Sequence, residues 1–105
     1  VIVDDSIVRG TTLKKLAKLL KESGVKKVHV RITSPPVKHP CFYGMNFPTQ
    51  KELVAHNRTT KEIKKMLEVD SLEYLSLDGL LESVKGSKSN FCTACFSGNY
   101  PVKPE

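Results

Sequence analysis

Tryptophan is absent from this 105-residue sequence, and aromatic residues make up only 7% of it. Apolar runs are short as well, and none approaches the roughly 20 residues that a membrane-spanning helix needs. The few aromatic side chains are not interleaved with the basic ones, as they are in many nucleic-acid modules. The composition therefore speaks against a membrane and against nucleic acid as partners.

The charge is unbalanced, with 17 Lys and Arg residues against 11 acidic residues and a net charge of +6. Such a charge would suit nucleic acid, an acidic membrane surface or phosphorylated metabolites. The basic residues are spread over predicted helices as ordinary solvated faces, at Lys14, Lys15, Lys18, Lys21, Lys61, Lys64 and Lys65. This distribution weakens the first two partners and leaves phosphorylated metabolites.

Cysteine is scarce, with three residues, and the odd number does not suit a framework of paired disulfides. Two of the three form the segment Cys92-Thr-Ala-Cys95. In an intracellular setting this spacing indicates a metal or redox role more than a structural disulfide. We therefore predict a cytoplasmic protein.

The first third of the chain predicts a strand, a helix and a second strand. Val1-Ile-Val3 is a β-branched run typical of a buried parallel strand. Since the chain lacks an initiator Met and opens inside this run, we expect a fragment with sequence before residue 1. Apolar spacing predicts a helix from about Thr12 to Glu22, capped by Thr11 or Thr12 and stopped at Ser23-Gly24. The alternation of Val28, Val30 and Ile32 predicts the second strand. Together they form the βαβ unit of an α/β fold, whose ligand site lies beyond the first strand, at residues 4–12.

The remainder of the chain predicts shorter elements. They are an ordered loop over residues 37–49, two short helices opened by the capping boxes Thr49 to Glu52 and Thr59 to Glu62, a strand near Leu72 to Leu75, and a helix from Leu77 to Val84 that ends at Gly86. We therefore divide the chain into residues 1–86, part of one domain, and residues 87–105. The second segment is a tail rich in Ser, Asn and Gly, which needs something to pin it.

The chemistry begins in the segment Val1-Ile-Val-Asp-Asp-Ser-Ile-Val-Arg-Gly-Thr-Thr12. Backbone N–H groups and hydroxyls at the start of a helix can hold a phosphate. The carboxylates of Asp4 and Asp5 at the strand end can accept hydrogen bonds from sugar hydroxyls or help to hold Mg²⁺. An acidic turn without a ligand is the alternative, but two adjacent carboxylates repel each other and need a cation or donors nearby.

This segment resembles the fingerprint of the type I phosphoribosyltransferases. The resemblance implies a partial phosphoribosyltransferase fold in which Asp4 and Asp5 bind the ribose hydroxyls and take part in Mg²⁺ binding. It also implies that the 5′-phosphate of phosphoribosyl diphosphate is bound by the turn, at Ser6, Gly10, Thr11 and Thr12. Arg9 is expected either to support the phosphate or to pair with a carboxylate on the loop.

Receiver domains of two-component signalling share the first half of this pattern. A receiver needs a phosphoacceptor Asp at the end of a later strand, yet no Asp occurs between Asp5 and Asp70. A Lys-Pro pair is also missing from the usual place, since Lys103-Pro104 lies in the tail. The receiver interpretation is therefore the weaker one.

Cys41, Cys92 and Cys95 supply three sulfur ligands where an iron–sulfur cluster or structural zinc usually has four, so a fourth would come from before residue 1. Other interpretations are a buried apolar role for Cys41 and a redox pair formed by Cys92 and Cys95. His29, His39 and His56 show no ligand spacing and are interpreted as surface or strand residues.

The segments Ser34-Pro-Pro, Pro40-Cys-Phe-Tyr-Gly44 and Cys92-Thr-Ala-Cys-Phe-Ser-Gly-Asn-Tyr-Pro101 together resemble the amidophosphoribosyltransferases. The resemblance implies an enzyme that forms 5-phosphoribosylamine from phosphoribosyl diphosphate and glutamine-derived ammonia in purine synthesis. It implies a structural [4Fe–4S] cluster on Cys41, Cys92 and Cys95, with zinc as the alternative metal. It also implies an N-terminal glutaminase domain outside this chain, feedback by purine nucleotides and a homo-oligomeric enzyme. We expect the 105 residues alone to be inactive. The alternative function is that of a non-catalytic fragment that binds a metal or a phosphate.

Overall fold

The computed structural model describes residues 1–44, 49–84 and 90–102. Its elements, in chain order, are β1 (Ile2–Asp4), α1 (Thr11–Glu22), β2 (His29–Ile32), a 3-10 turn (Gln50–Glu52), α2 (Thr60–Leu67), β3 (Ser71–Tyr74), α3 (Leu77–Glu82) and α4 (Ala94–Ser97). The predicted helix stop at Gly86 and the boundary between residues 86 and 87 lie outside the described residues. Within the described ranges, no helix is long and apolar enough to cross a membrane.

The three strands form one parallel sheet in the order β1-β2-β3. Ile2 pairs with Val30, and Val30 pairs in turn with Leu72. Since β1 and β2 are parallel and joined through α1, the predicted βαβ unit is confirmed, and with it the α/β class.

One face of the sheet carries the core. Strand side chains alternate between faces, so Ile2, Val30 and Leu72 point to the same side. There they join the apolar faces of α1 and α2, which contribute Leu13, Ala17, Ile63 and Leu67. The two helices therefore cover this face and fix β1 beneath them.

The opposite face is exposed in the described part of the chain, and this corrects the expectation of a fully buried first strand. Val1 is 87% exposed and Val3 is 66% exposed. The physical reason is that β1 is an edge strand and that Val3 pairs with Arg31 on the face away from the core cluster. A β-branched run therefore marked a strand here without marking burial.

Local signals placed most of the helices, but α4 lies in the segment predicted only as a tail and the start of α1 differs. Thr59 caps α2 as predicted, because its hydroxyl accepts from the Glu62 N–H at 3.2 Å while its own N–H donates to the Glu62 carboxylate at 3.2 Å. The 3-10 turn begins after Thr49, whose N–H donates to the Glu52 carboxylate at 3.1 Å. The start of α1 differs from the prediction, since its N-cap is Gly10 and no side chain caps it.

Candidate phosphate-binding loop and cysteine tail

A cavity of about 210 Å³ opens beyond the carboxyl end of β1. It is lined by Asp4 and by a continuous stretch of the following loop and helix start, Ser6, Ile7, Val8, Arg9, Gly10, Thr11, Thr12 and Leu13. This is the edge of the sheet where the βαβ topology predicts a ligand. Of the residues proposed from the sequence for the loop, the structure brings all but Asp5 to this cavity wall.

The start of α1 is suited to an anion because no side chain occupies its first N–H groups. Gly10 adopts φ 83° and ψ −6°, and its carbonyl accepts the first helical hydrogen bond, from Lys14 at 3.0 Å. The next N–H groups, which begin with Thr11, have no partner within the helix and carry the positive end of its dipole. A phosphate in the cavity would provide the missing acceptors.

Gly10, in its left-handed conformation, is also closely surrounded by core side chains. A Cβ at this position would lie 3.3 Å from Leu67 Cδ2 and 3.6 Å from Val54 Cγ2. The backbone behind the loop is held by a hydrogen bond of 2.9 Å from Val54 N–H to the Val8 carbonyl. Ile7, 3% exposed, anchors the loop in the core. The loop is therefore fixed by buried contacts while its polar side faces the cavity.

The two carboxylates are both exposed but differ in their position relative to the cavity. The side chain of Asp4 lines the cavity, and its Oδ1 accepts a hydrogen bond of 2.8 Å from the N–H of Asp5. The side chain of Asp5 is exposed and accepts a hydrogen bond of 3.3 Å from the Ser6 hydroxyl. Asp4 is thus part of the cavity wall, and Asp5 is not.

Arg9 lines the cavity and forms a long ion pair, 4.0 Å, with Glu52 of the 3-10 turn. Both side chains are more than half exposed, so the pair contributes little to stability. Its partner lies on the 3-10 turn and not on the loop. The pair therefore adds a second connection between this turn and the loop, next to the Val54 hydrogen bond.

The three cysteines lie in one region, with free thiols. Burial raises the pKa of the Cys95 thiol, and the negative charges that Cys41 and Cys92 would carry raise it further. Sulfur donors of this kind suit an iron–sulfur cluster or zinc. No group of three His, Cys, Asp or Glu side chains in the described ranges is already spaced to hold a metal ion, and this includes the carboxylates at the loop.

Protein contacts alone pin the described part of the tail to residues 38–43. The carbonyl of Cys95 accepts hydrogen bonds from the N–H groups of Lys38 and His39, at 3.0 and 3.1 Å. The Tyr100 hydroxyl donates to the Pro40 carbonyl at 2.8 Å, and its ring packs on Phe42 with centroids 5.2 Å apart. Sequence reasoning missed this cluster, although the aromatic residues beside Cys41 and in the tail were a visible signal.

A parallel strand, a tight loop and an uncapped helix start face one cavity, with a strand-end carboxylate at its wall, and so form a candidate phosphate loop of the kind expected of a phosphoribosyltransferase. No protein-family model matches the chain. Curated relatives do: the chain is 55% identical over 101 residues to an amidophosphoribosyltransferase of Synechococcus elongatus. It is 49% identical over 105 residues to a chloroplastic amidophosphoribosyltransferase of Vigna aconitifolia.

These alignments cover 96% and 100% of the chain, but only 20% and 22% of the two relatives. A solved structure, glutamine phosphoribosylpyrophosphate amidotransferase from B. subtilis in complex with ADP and GMP, is 45% identical and superposes with a TM-score of 0.86, over 96% of this chain and 23% of that one. The chain is thus homologous to the amidophosphoribosyltransferase family over nearly its whole length and spans about a fifth of the curated relatives that it matches. The resemblance read from the sequence is confirmed, and the receiver interpretation is dropped.

Proposed function

We propose that this chain is the phosphoribosyl-diphosphate-binding part of an amidophosphoribosyltransferase, which forms 5-phosphoribosylamine from phosphoribosyl diphosphate and glutamine-derived ammonia in purine synthesis. The observation that carries the proposal is the uncapped start of α1 at Gly10, open to a cavity whose wall includes Asp4. Sequence identity near 50% with amidophosphoribosyltransferases supports the choice of reaction.

The loop binds the 5′-phosphate in this proposal. The phosphate oxygens accept from backbone N–H groups at the start of α1 and from the hydroxyls of Ser6, Thr11 and Thr12. These groups are positioned before the ligand arrives, because Gly10 is packed against Leu67 and the loop is tied to Val54. Rigid positioning lowers the entropy cost of bringing the ribose and ammonia together.

The carboxylates act on the ribose. Asp4 ends β1 and lines the cavity, and Asp5 follows it in the chain. In the proposal both carboxylates bind the sugar when its 5′-phosphate lies at the helix start. They accept hydrogen bonds from the 2′ and 3′ hydroxyls, and their negative charge stabilises the positive charge that develops on the ribose as diphosphate leaves. Bound Mg²⁺ would neutralise the leaving diphosphate, and Asp4 and Asp5 are the residues of this loop that would help to hold it.

The cysteines have a structural role in the proposal. Cys41, Cys92 and Cys95, with a fourth ligand from elsewhere in the enzyme, would hold a [4Fe–4S] cluster that joins α4 to residues 38–43. The assignment rests on the resemblance to the family and on the three free thiols, which in the described residues are not yet spaced to hold a metal ion. Zinc on the same sulfurs is the alternative.

The other partners are proposed from the relatives. A glutaminase domain would supply ammonia from outside this chain, which matches only about a fifth of the relatives' length. Purine nucleotides are proposed as feedback ligands, since the B. subtilis structure contains ADP and GMP. A homo-oligomer and a cytoplasmic location complete the proposal.

Calorimetry with phosphoribosyl diphosphate and Mg²⁺ tests the ribose site. We expect Asp5→Asn to weaken binding by roughly tenfold or more, since a hydrogen bond to a charged group contributes about 1.5–3 kcal/mol. Glu73→Gln is the matched control, because it removes one negative charge from an exposed position of β3 on the face away from the core. Equal heats for Asp5→Asn and the parent chain would contradict the proposal.

A further inference from the structure

A second cavity, of about 310 Å³, lies between the segment that follows β2 and the segment that precedes α2. Its wall contains Lys38 and His39 from the first segment and His56, Asn57 and Arg58 from the second. Acidic side chains are absent from the described lining. The sequence showed only separate basic residues here, which the fold brings to one place.

The first wall is held by the tail. The N–H groups of Lys38 and His39 both donate to the Cys95 carbonyl, at 3.0 and 3.1 Å. The His39 ring lies against Gly98, which has φ 80°, and a Cβ on Gly98 would come within 3.0 Å of His39 Nε2. The His39 ring therefore lies directly beside the Gly98 backbone, so the tail contacts a residue that lines this cavity.

The second wall is held by a tight turn. Asn57 has φ 55°, in the left-handed region that few side chains other than Asn adopt. His56 N–H donates to the Leu53 carbonyl at 3.0 Å, and Arg58 Nη1 donates to the Val54 carbonyl at 3.3 Å. The Asn57 amide lies 3.2 Å from His56 Nε2, so an amide N–H that donates there leaves Nδ1 as the donor of the ring.

Among the described residues, no carboxylate pairs with the cations of this cavity. The ion pairs found in the described ranges are Arg9 with Glu52 and Lys21 with Asp70. Lys38 and Arg58 are therefore without a carboxylate partner in the described part of the chain. Two fixed positive charges and two imidazole rings around one cavity create a positive potential that favours an anion with several acceptor oxygens.

We propose that this cavity is a second anion-binding site, for a phosphate or a phosphate ester, separate from the loop at Gly10. Lys38 and Arg58 provide the charge, and the imidazole N–H groups of His39 and His56, which line the same cavity, provide further donors. An ordinary solvated basic face would not bring donors from two distant segments around one cavity. The proposal does not depend on the function proposed for the loop.

Histidine ring signals in NMR spectra provide the test. Inorganic phosphate is titrated into the 105-residue chain, with sodium chloride at matched ionic strength as the blank. We expect saturable shifts of the His39 and His56 rings, while the ring of His29, which is hydrogen-bonded to Ser71 at 2.7 Å in the sheet, stays unchanged.

Variants separate this site from the loop. Arg58→Gln should weaken the phosphate affinity by about tenfold, and Lys38→Gln offers the same comparison if Arg58→Gln does not fold. Lys61→Gln, an exposed basic residue of α2 outside the lining, should leave the affinity unchanged. Gly10→Ala should also leave the His39 and His56 shifts intact. Shifts that do not saturate, that sodium chloride reproduces, or that Gly10→Ala abolishes would overturn the proposal.

Discussion

Replacement of Gly10 by Ala tests whether the start of α1 is a preformed phosphate site. The backbone at Gly10 has φ 83°, where a Cβ costs about 1–2 kcal/mol. The new methyl group would also lie 3.3 Å from Leu67 Cδ2, closer than ordinary contact. Reduced freedom of the unfolded chain returns about 0.4–1 kcal/mol. We therefore expect a net loss of about 1 kcal/mol in the free energy of unfolding, which corresponds to a Tm lower by about 4–8 °C.

Gly10→Ala should lower the affinity for phosphoribosyl diphosphate by more than its loss of folding stability suggests. The contact is relieved by a shift of a few tenths of an ångström between Leu67 and the helix start, and any part of it taken by the helix start moves the N–H groups that face the cavity. Loss of one hydrogen bond to a charged phosphate corresponds to about 1.5–3 kcal/mol. We expect the affinity for phosphoribosyl diphosphate, measured by calorimetry, to fall by roughly 10- to 100-fold.

Gly24→Ala is the matched control for this experiment. Gly24 follows α1 and also has a positive φ, 106°, but a Cβ added there would meet no other atom within 4 Å. Its substitution should therefore lower stability through backbone strain while it leaves phosphate binding unchanged. Urea unfolding followed by circular dichroism gives the stability of both variants. Parent-like affinity of Gly10→Ala, or an equal loss of affinity in Gly24→Ala, would refute the reasoning.

Two further predictions concern Asp70, just before β3, and Cys92, in the tail. Asp70 accepts a hydrogen bond of 2.7 Å from Val28 N–H, which, with the charge of Lys21 nearby, holds the pKa of its carboxyl below its ordinary value. A carboxyl whose pKa is lower in the folded state stabilises the fold above its unfolded pKa, and this stabilisation is lost as the pH falls through the folded pKa. Asp70→Asn should therefore lose less stability than the parent in acid titrations below about pH 4. Anaerobic reconstitution with iron and sulfide should give cluster absorbance that Cys92→Ser abolishes; unchanged absorbance would remove Cys92 from the ligands.

Local sequence signals were sufficient wherever the structure depends on neighbouring residues. The spacing of Leu13 and Ala17 predicted α1, and the Thr59 to Glu62 capping box predicted the start of α2, because both depend on contacts within one or two helical turns. The order of strand, acidic pair, Gly and Thr predicted the cavity at the end of β1, since a parallel βαβ unit leaves little choice of where that loop lies.

The sequence by itself therefore determined the α/β unit, the position of the phosphate loop and the family. Tertiary structure decided that Asp4 and not Asp5 lines the cavity, that Gly10 and not a Thr is the N-cap of α1, and that Val3 in the first strand is exposed. It also decided the contact of Tyr100 with Pro40, which lie 60 residues apart, and the gathering of Lys38 with Arg58 around one cavity. Such contacts depend on how separate elements pack, and no periodicity along the chain encodes them.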